Sequence, residues 1–273
     1  MADAPPRQFG VVSYVFHTGG LVADLASDAA SARDAGVDGV SVDADELLRI
    51  GCDAAGHLVG DAGVRVSSVM AIGPAVEAGA TGSIDTELAV LDAAAAIGAP
   101  GVLAFTGPRG GFTASEADAR SRAWLERLAS RAVELELSVM LEPMFPMMRA
   151  YTYVHTLSHA LELVADLDGA KVVVDTAHLW WDPRLVELFA AHVDDVGTVQ
   201  LTNVSTPALD ARRFTRAPFD EGEVPLRDLV EAFDAAGYRG WYENEVLTEE
   251  PEDRVEFVRE SRTWFDAIWN EGE

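Results

Sequence analysis

The chain has 273 residues with 46 acidic and 20 basic side chains, a formal net charge of −26, and a single cysteine, Cys52. One cysteine excludes an internal disulfide and fits a reducing compartment, so a cytoplasmic location is expected. A surface this negative repels phosphate backbones and anionic membranes, so neither nucleic acid nor membrane is expected as a partner.

No stretch is apolar for long enough to span a bilayer, and the opening MADAPPRQ has no apolar signal core. The length suits one large domain, and we expect a single unit over 1–273. Short apolar runs alternate along it with longer amphipathic stretches. In chain order the predicted strands are Phe9–Tyr14, Gly39–Val42, Val64–Met70, Gly101–Phe105, Ser138–Glu142, Lys171–Asp175, Thr198–Leu201 and Gly240–Leu247. Their continuous apolar, β-branched character is that of parallel strands buried on both faces. Helical patterns separate them at Leu21–Ala35, Ile84–Ile97, Ser115–Glu136, Thr156–Leu167, Pro183–Val193 and Leu226–Ala236. Thr113, Ser115 or Asp118 offers an N-cap for the third of these, and Gly237 a stop for the last. The phrases DAGVDGV, AIGAPGV and AAGYRGW each put glycine between a helix and the next strand, as αβ loops prefer.

Eight strands alternating with helices predict a (β/α)8 barrel. An open doubly wound sheet is the main alternative, but the first strand runs into YVFHTGG and lacks G-x-G-x-x-G. The one long irregular stretch, Val204–Glu223, follows the seventh strand and is expected at the active face.

Four polar residues sit at or near the ends of these runs: Glu142 in VMLEP, Asp175 in KVVVDTAH, Gln200 in GTVQLTN and Glu245 in GWYENEVL. In a barrel of parallel strands those ends meet at one mouth. Taken singly, Glu142 also fits a salt bridge, Asp175 an N-cap, and Gln200 a hydrogen-bonded core amide. Glu243 and Glu245 share a face by alternation, and both point inward in a closed barrel. Three carboxylates and an amide oxygen converging on one point suit a divalent cation whose charge offsets their repulsion. Oxygen ligands favour Mn2+ or Mg2+, with Co2+ or Zn2+ also able to occupy such a site.

The segments LEP, VVDTAH, VQLTN and GYRGWYENEV, in this order and spacing, resemble the sugar isomerase/epimerase superfamily of xylose isomerase-like barrels, with hydroxypyruvate isomerases, inosose dehydratases and ketose epimerases among its members. The resemblance spans nearly the whole chain and implies that Glu142, Asp175, Gln200 and Glu245 bind one divalent metal. It implies that His178, three residues after Asp175, contacts substrate. Glutamine at the strand-7 position resembles the hydroxypyruvate isomerase branch, in which an arginine precedes a Gly-Glu pair. Here Arg216 precedes Gly222-Glu223, with Arg212 and Arg213 as alternatives. Two departures matter. The ketose 3-epimerases have a glutamate where this chain has Met148, and an arginine where it has Thr206, which argues against a simple ketohexose 3-epimerase. Endonuclease IV needs several more histidine ligands than this chain's six histidines supply.

The implied chemistry is proton transfer through an enediolate, with Glu142 and Glu245 as acid and base. Isomerisation and epimerisation of a small carbohydrate or hydroxy-carbonyl substrate are the first reading. A lyase or dehydratase eliminating a β-hydroxyl from a keto-cyclitol or keto-sugar is the second, and a non-catalytic sugar-binding barrel the third. His178 either bonds a substrate oxygen or orients a ligand. His17 after the first strand and Trp181 beside His178 are candidate pocket residues. Met144, Phe145, Met147 and Met148 give the mouth an apolar side that would suit an apolar substrate portion. Dimers and tetramers are common in the family, which leaves a homo-oligomer as an expectation.

Overall fold

The apolar runs form eight parallel strands that close on themselves. In the computed structural model, which describes residues 7–17, 24–205, 215–247 and 253–270, they are β1 Gln8–Val11, β2 Gly39–Asp43, β3 Arg65–Ile72, β4 Gly101–Ala104, β5 Ser138–Leu141, β6 Ala170–Asp175 and β7 Val196–Leu201. A short ribbon, β8 Asn203–Ser205 with β9 Thr215–Ala217, comes next, and β10 Trp241–Asn244 completes the set. Around the barrel the order is β1-β10-β7-β6-β5-β4-β3-β2. This is the (β/α)8 barrel expected from the alternation of strands and helices.

Alternation along each strand fills the barrel in layers. At its N-terminal end Trp241 and Met140 plug the interior, and glycines on the next strand but one make room for them. A Cβ on Gly39 would lie 2.7 Å from the Trp241 ring, and one on Gly197 would lie 2.4 Å from the Met140 sulfur. Two residues beyond Trp241, Glu243 is fully buried and is held by hydroxyls: Ser67 Oγ donates to its Oε1 at 2.5 Å and Ser68 Oγ at 2.8 Å. The expected inward direction of Glu243 therefore holds. Its partners come from the SSVMAIG segment, whose serines give no signal of this role in the sequence.

Helices wrap the outside, and local capping sets where they start and stop. Thr113 starts Ala114–Glu134 with a reciprocal capping box to Glu116. Gly36 and Gly98, at φ of 75° and 74°, turn the chain from helix to strand. Two helices that the sequence reading passes over, Ala44–Ile50 and Cys52–Ala62, connect β2 to β3. The final helix, Arg254–Asn270, is likewise absent from it. That helix sets Phe265 against Phe9 of β1 and Tyr242 of β10, with ring centroids at 4.8 and 5.2 Å, so it covers the seam where the barrel closes. Residues 21–23, the predicted start of the first helix, lie outside the described residues, and the described helix is Leu25–Ala35.

The described parts of the stretch Val204–Glu223 are more regular than expected. Val204 pairs with Arg216 in the antiparallel ribbon. Asn203 ties its base together: Nδ2 donates to the carbonyl of Phe219 at 2.9 Å, and Oδ1 accepts the Val224 amide at 2.8 Å. Gly222 packs so closely there that a Cβ would fall 2.2 Å from Asn203 Oδ1. Arg212, Arg213 and Thr206 lie outside the described residues.

Candidate metal centre

The ladder carries the two outer glutamates into place. The Glu142 amide donates to the Ala104 carbonyl at 3.1 Å and the Glu245 amide to the Leu201 carbonyl at 3.0 Å, so each carboxylate sits just past the end of its strand on continuing sheet geometry. Between them in barrel order, Asp175 and Gln200 are register partners on β6 and β7. All four side chains are buried.

Asp175 does two things. Its Oδ1 caps the short helix Thr176–Leu179 by accepting the Ala177 amide at 2.8 Å, which fulfils the capping alternative. Its Oδ2 makes no hydrogen bond and faces inward. The helix it caps swings His178 back over the strand end. His178 Nε2 lies 3.3 Å from Asp175 Oδ2 and 3.8 Å from Glu142 Oε1. Phe145 stacks on that imidazole at 5.0 Å between centroids.

Arg216 reaches the same place from the ribbon. Its guanidinium stands 3.6 Å from Asp175 Oδ2 and 3.1 Å from Glu245 Oε2, and it donates to the Glu245 carbonyl and, at 3.2 Å, to Thr202 Oγ1. Arg216, the candidate arginine among the described residues, is thus brought to the cluster.

Burial governs the protonation of these groups. It pushes the Glu142 carboxyl well above the usual range, reinforced by Glu245 and Asp175 and opposed by Arg216. Asp175 is raised by burial against the pull of Arg216. Burial lifts Glu245 to about 7, again against Arg216. His178 is pushed down to about 3, by burial first and Arg216 second, so it is neutral at physiological pH.

These residues fit a cation. Oxygen and nitrogen atoms of Glu142, Asp175 and His178 lie within 4.8 Å of one another. Asp175 Oδ2 and Oε1 of the fully buried Gln200 are without a hydrogen-bond partner, a costly state that a bound ion would relieve. The geometry differs in emphasis from the four-ligand set implied by resemblance. His178, expected to face substrate, stands inside the compact trio, and Glu245 is engaged by Arg216.

The two remaining candidates lie differently. Trp181 is 44% exposed at the rim and donates its indole N–H to the His178 carbonyl at 2.8 Å. His17 pairs with Asp28, Nε2 to Oδ1 at 2.7 Å. Asp28 is fully buried, and burial raises it to about 6 against the pull of His17. Glu46 stands nearby and accepts the Leu25 amide, while Tyr14 donates to Asp43. This second acidic network arises where the first helix meets the helix after β2, and its members are too far apart in sequence to form a motif.

A closed parallel barrel with buried acids at the C-terminal mouth defines a class of proteins whose sites are built on strand ends. Residues 29–268 match the model of the xylose isomerase-like TIM barrel family, and the chain belongs to that family. Among solved structures it is similar to the protein SMc04130 from Sinorhizobium meliloti 1021, with TM-score 0.82 and 21% identity over 95% of this chain and 98% of that one. It is similar to the 3-keto-D-glucoside 4-epimerase YcjR from E. coli, with TM-score 0.78 and 17% identity over 96% and 100%. It is also similar to D-psicose 3-epimerase from Clostridium cellulolyticum H10, with TM-score 0.74 and 14% identity over 96% and 99%. These likenesses show the fold. No curated protein matches the chain in sequence. No helix among the described residues is long and apolar enough to cross a membrane.

Proposed function

We propose that this chain is a divalent-metal-dependent isomerase or epimerase of a small hydroxy-carbonyl carbohydrate. The observation that carries the reading is the pair of buried glutamates, Glu142 and Glu245, at two strand ends flanking Asp175 and Gln200, each with its carboxyl raised above the usual range by burial. Two carboxyls with raised proton affinity are suited to take a proton from carbon and return it. Epimerase neighbours on the same fold support the choice of reaction class.

Glu142, Asp175, Gln200 and Glu245 hold the ion in this reading, with His178 close enough to join them. A divalent cation such as Mn2+ or Mg2+ supplies polarisation of the substrate carbonyl and counter-charge for an enediolate. Glu245 takes the proton α to the carbonyl, and Glu142, on the other side of the cluster, returns one. Neutral His178 presents an N–H to a substrate oxygen without adding charge. Arg216 offsets the negative charge gathered on Asp175 and Glu245. Phe145 covers His178 and keeps water from it.

The test is turnover of a panel of ketoses, keto-glycosides and hydroxy-keto acids in heavy water, with the metal supplied, read by NMR. Deuterium at a carbon α to the carbonyl in a product of unchanged formula supports the reading. Loss of water or an aglycone assigns the lyase reaction instead. Unchanged turnover in Glu142→Gln would overturn the two-glutamate mechanism.

A further inference from the structure

Nearly every described arginine of this acidic chain has a partner. Arg7, Arg33, Arg49, Arg131, Arg184, Arg239, Arg259 and Arg262 pair with carboxylates, Arg120, Arg122 and Arg127 donate to carbonyls, and Arg216 serves the mouth. Among the described arginines, Arg109 and Arg149 are the two whose side chains make no hydrogen bond, ion pair or ring contact. Both line one open cavity of about 870 Å3, together with Tyr153, His155 and His159. Arg109 comes from the loop after β4 and Arg149 from the loop after β5, so the fold brings them together across forty residues of sequence.

The sequence around the cavity is as unusual as its arginines. One residue in six of the chain is acidic, yet there is no Asp or Glu between Asp92 and Glu116, and none between Glu142 and Glu162. Those two acid-free stretches supply the cavity wall. The one carboxylate bonded to a wall residue, Asp118, is already occupied: it accepts from Tyr153 Oη at 2.9 Å and pairs with His159 Nε2 at 2.9 Å. His155 is fixed through Nδ1 to the Met144 carbonyl at 2.7 Å. Two unpartnered guanidiniums in an acid-free hollow of a −26 protein form a local positive site against an opposing field.

We propose that this cavity is an anion-binding subsite that receives a phosphate or carboxylate group through Arg109 and Arg149. Guanidinium forks match both groups in geometry and hold them by charge-assisted hydrogen bonds. The subsite shares no residue with the metal centre but is joined to it by chain: the loop that lays Phe145 on His178 places Met147 and Arg149 in the cavity two and four residues later. The group has two sources, the acidic end of a substrate held at the mouth or a free inorganic anion. The first of these rests on the reaction proposed above, whereas binding itself does not.

The experiment is titration of the metal-free chain with inorganic phosphate and with acetate, followed by amide NMR shifts and calorimetry. It compares wild type, Arg109→Gln/Arg149→Gln, and the charge-matched control Arg33→Gln/Arg184→Gln. Shifts at Tyr153, His155 and His159, with affinity at least tenfold weaker in the first variant and retained in the control, are expected. Equal affinity in all three, or equal weakening in both variants, overturns the subsite. Kinetics then separate the sources. A KM for a sugar phosphate raised tenfold in the double variant, with its unphosphorylated sugar unaffected, identifies a substrate group. Phosphate binding with both KM values unchanged identifies a free anion.

Discussion

Asp175 faces His178 across 3.3 Å and also holds it through the backbone, because the carboxylate oxygen not used for that contact caps the helix on which His178 rides. One side chain thus fixes both the position of the imidazole and the open face of the cluster. Asp175→Asn keeps a capping oxygen and removes a buried negative charge. Its melting temperature without metal should equal or exceed that of wild type. Its divalent-ion affinity should fall by more than the roughly 10–100-fold that loss of an outer-shell partner costs. Asp175→Ala also loses the cap, a further ~1 kcal/mol, and should melt below Asp175→Asn. Calorimetry with Mn2+ and thermal melts check both parts.

The two glutamates are expected to fail in turnover before they fail in folding. General acid–base catalysis contributes roughly 10²–10⁴-fold, so Glu142→Gln and Glu245→Gln should each lower kcat by at least that range while retaining the melting behaviour of a folded barrel. Turnover with metal content measured on the same samples separates loss of proton transfer from loss of the ion.

Arg216 stands 3.1 Å from Glu245 and 3.6 Å from Asp175, where it competes with a bound cation for the same negative charge. Arg216→Gln should therefore bind Mn2+ more tightly than wild type. Without metal the same variant leaves buried carboxylates uncompensated and should be destabilised by roughly 3–5 kcal/mol. Melts with and without Mn2+ should show the variant gaining more from the ion than wild type does.

The metal-free chain should lose stability as pH rises through the neutral range. Asp28, raised to about 6, and Glu245, raised to about 7, bind protons more tightly folded than unfolded. Glu142, Asp175 and Glu243 shift the same way, each chiefly through burial. Stability from these groups is complete below the unfolded carboxyl range and is lost as pH climbs past their folded values. Melting temperature should therefore fall between about pH 4.5 and 7.5. Asp28→Asn should flatten the lower part of that slope and Glu245→Gln the upper part. A melting temperature that rises over this interval would contradict the burial argument.

The barrel was legible because buried parallel strands must be apolar on both faces, and eight such runs stand out. The helices Ala44–Ile50 and Cys52–Ala62 were missed for a related reason: they are short and partly polar, and the capping that starts the first of them, Asp43 to the Glu46 amide, is not an apolar pattern. The ribbon at Val204 and Thr215 was missed because its strands are only three residues each, NVS and TRA, within a stretch of sequence whose arginines, prolines and aspartates read as an irregular loop, and its base is tied by the side chain of Asn203.

By itself the sequence determined the barrel, the four strand-end residues at its mouth and the capping dual of Asp175, since each follows from periodicity or a local hydrogen bond. Only the tertiary structure decided that His178 stands with Glu142 and Asp175 in one compact trio, that Arg216 reaches it, that His17 belongs to Asp28, and that Arg109 and Arg149 share a cavity. Those facts depend on where loops from different strands meet, and the distance between two loop tips is set by barrel closure, not by any spacing along the chain.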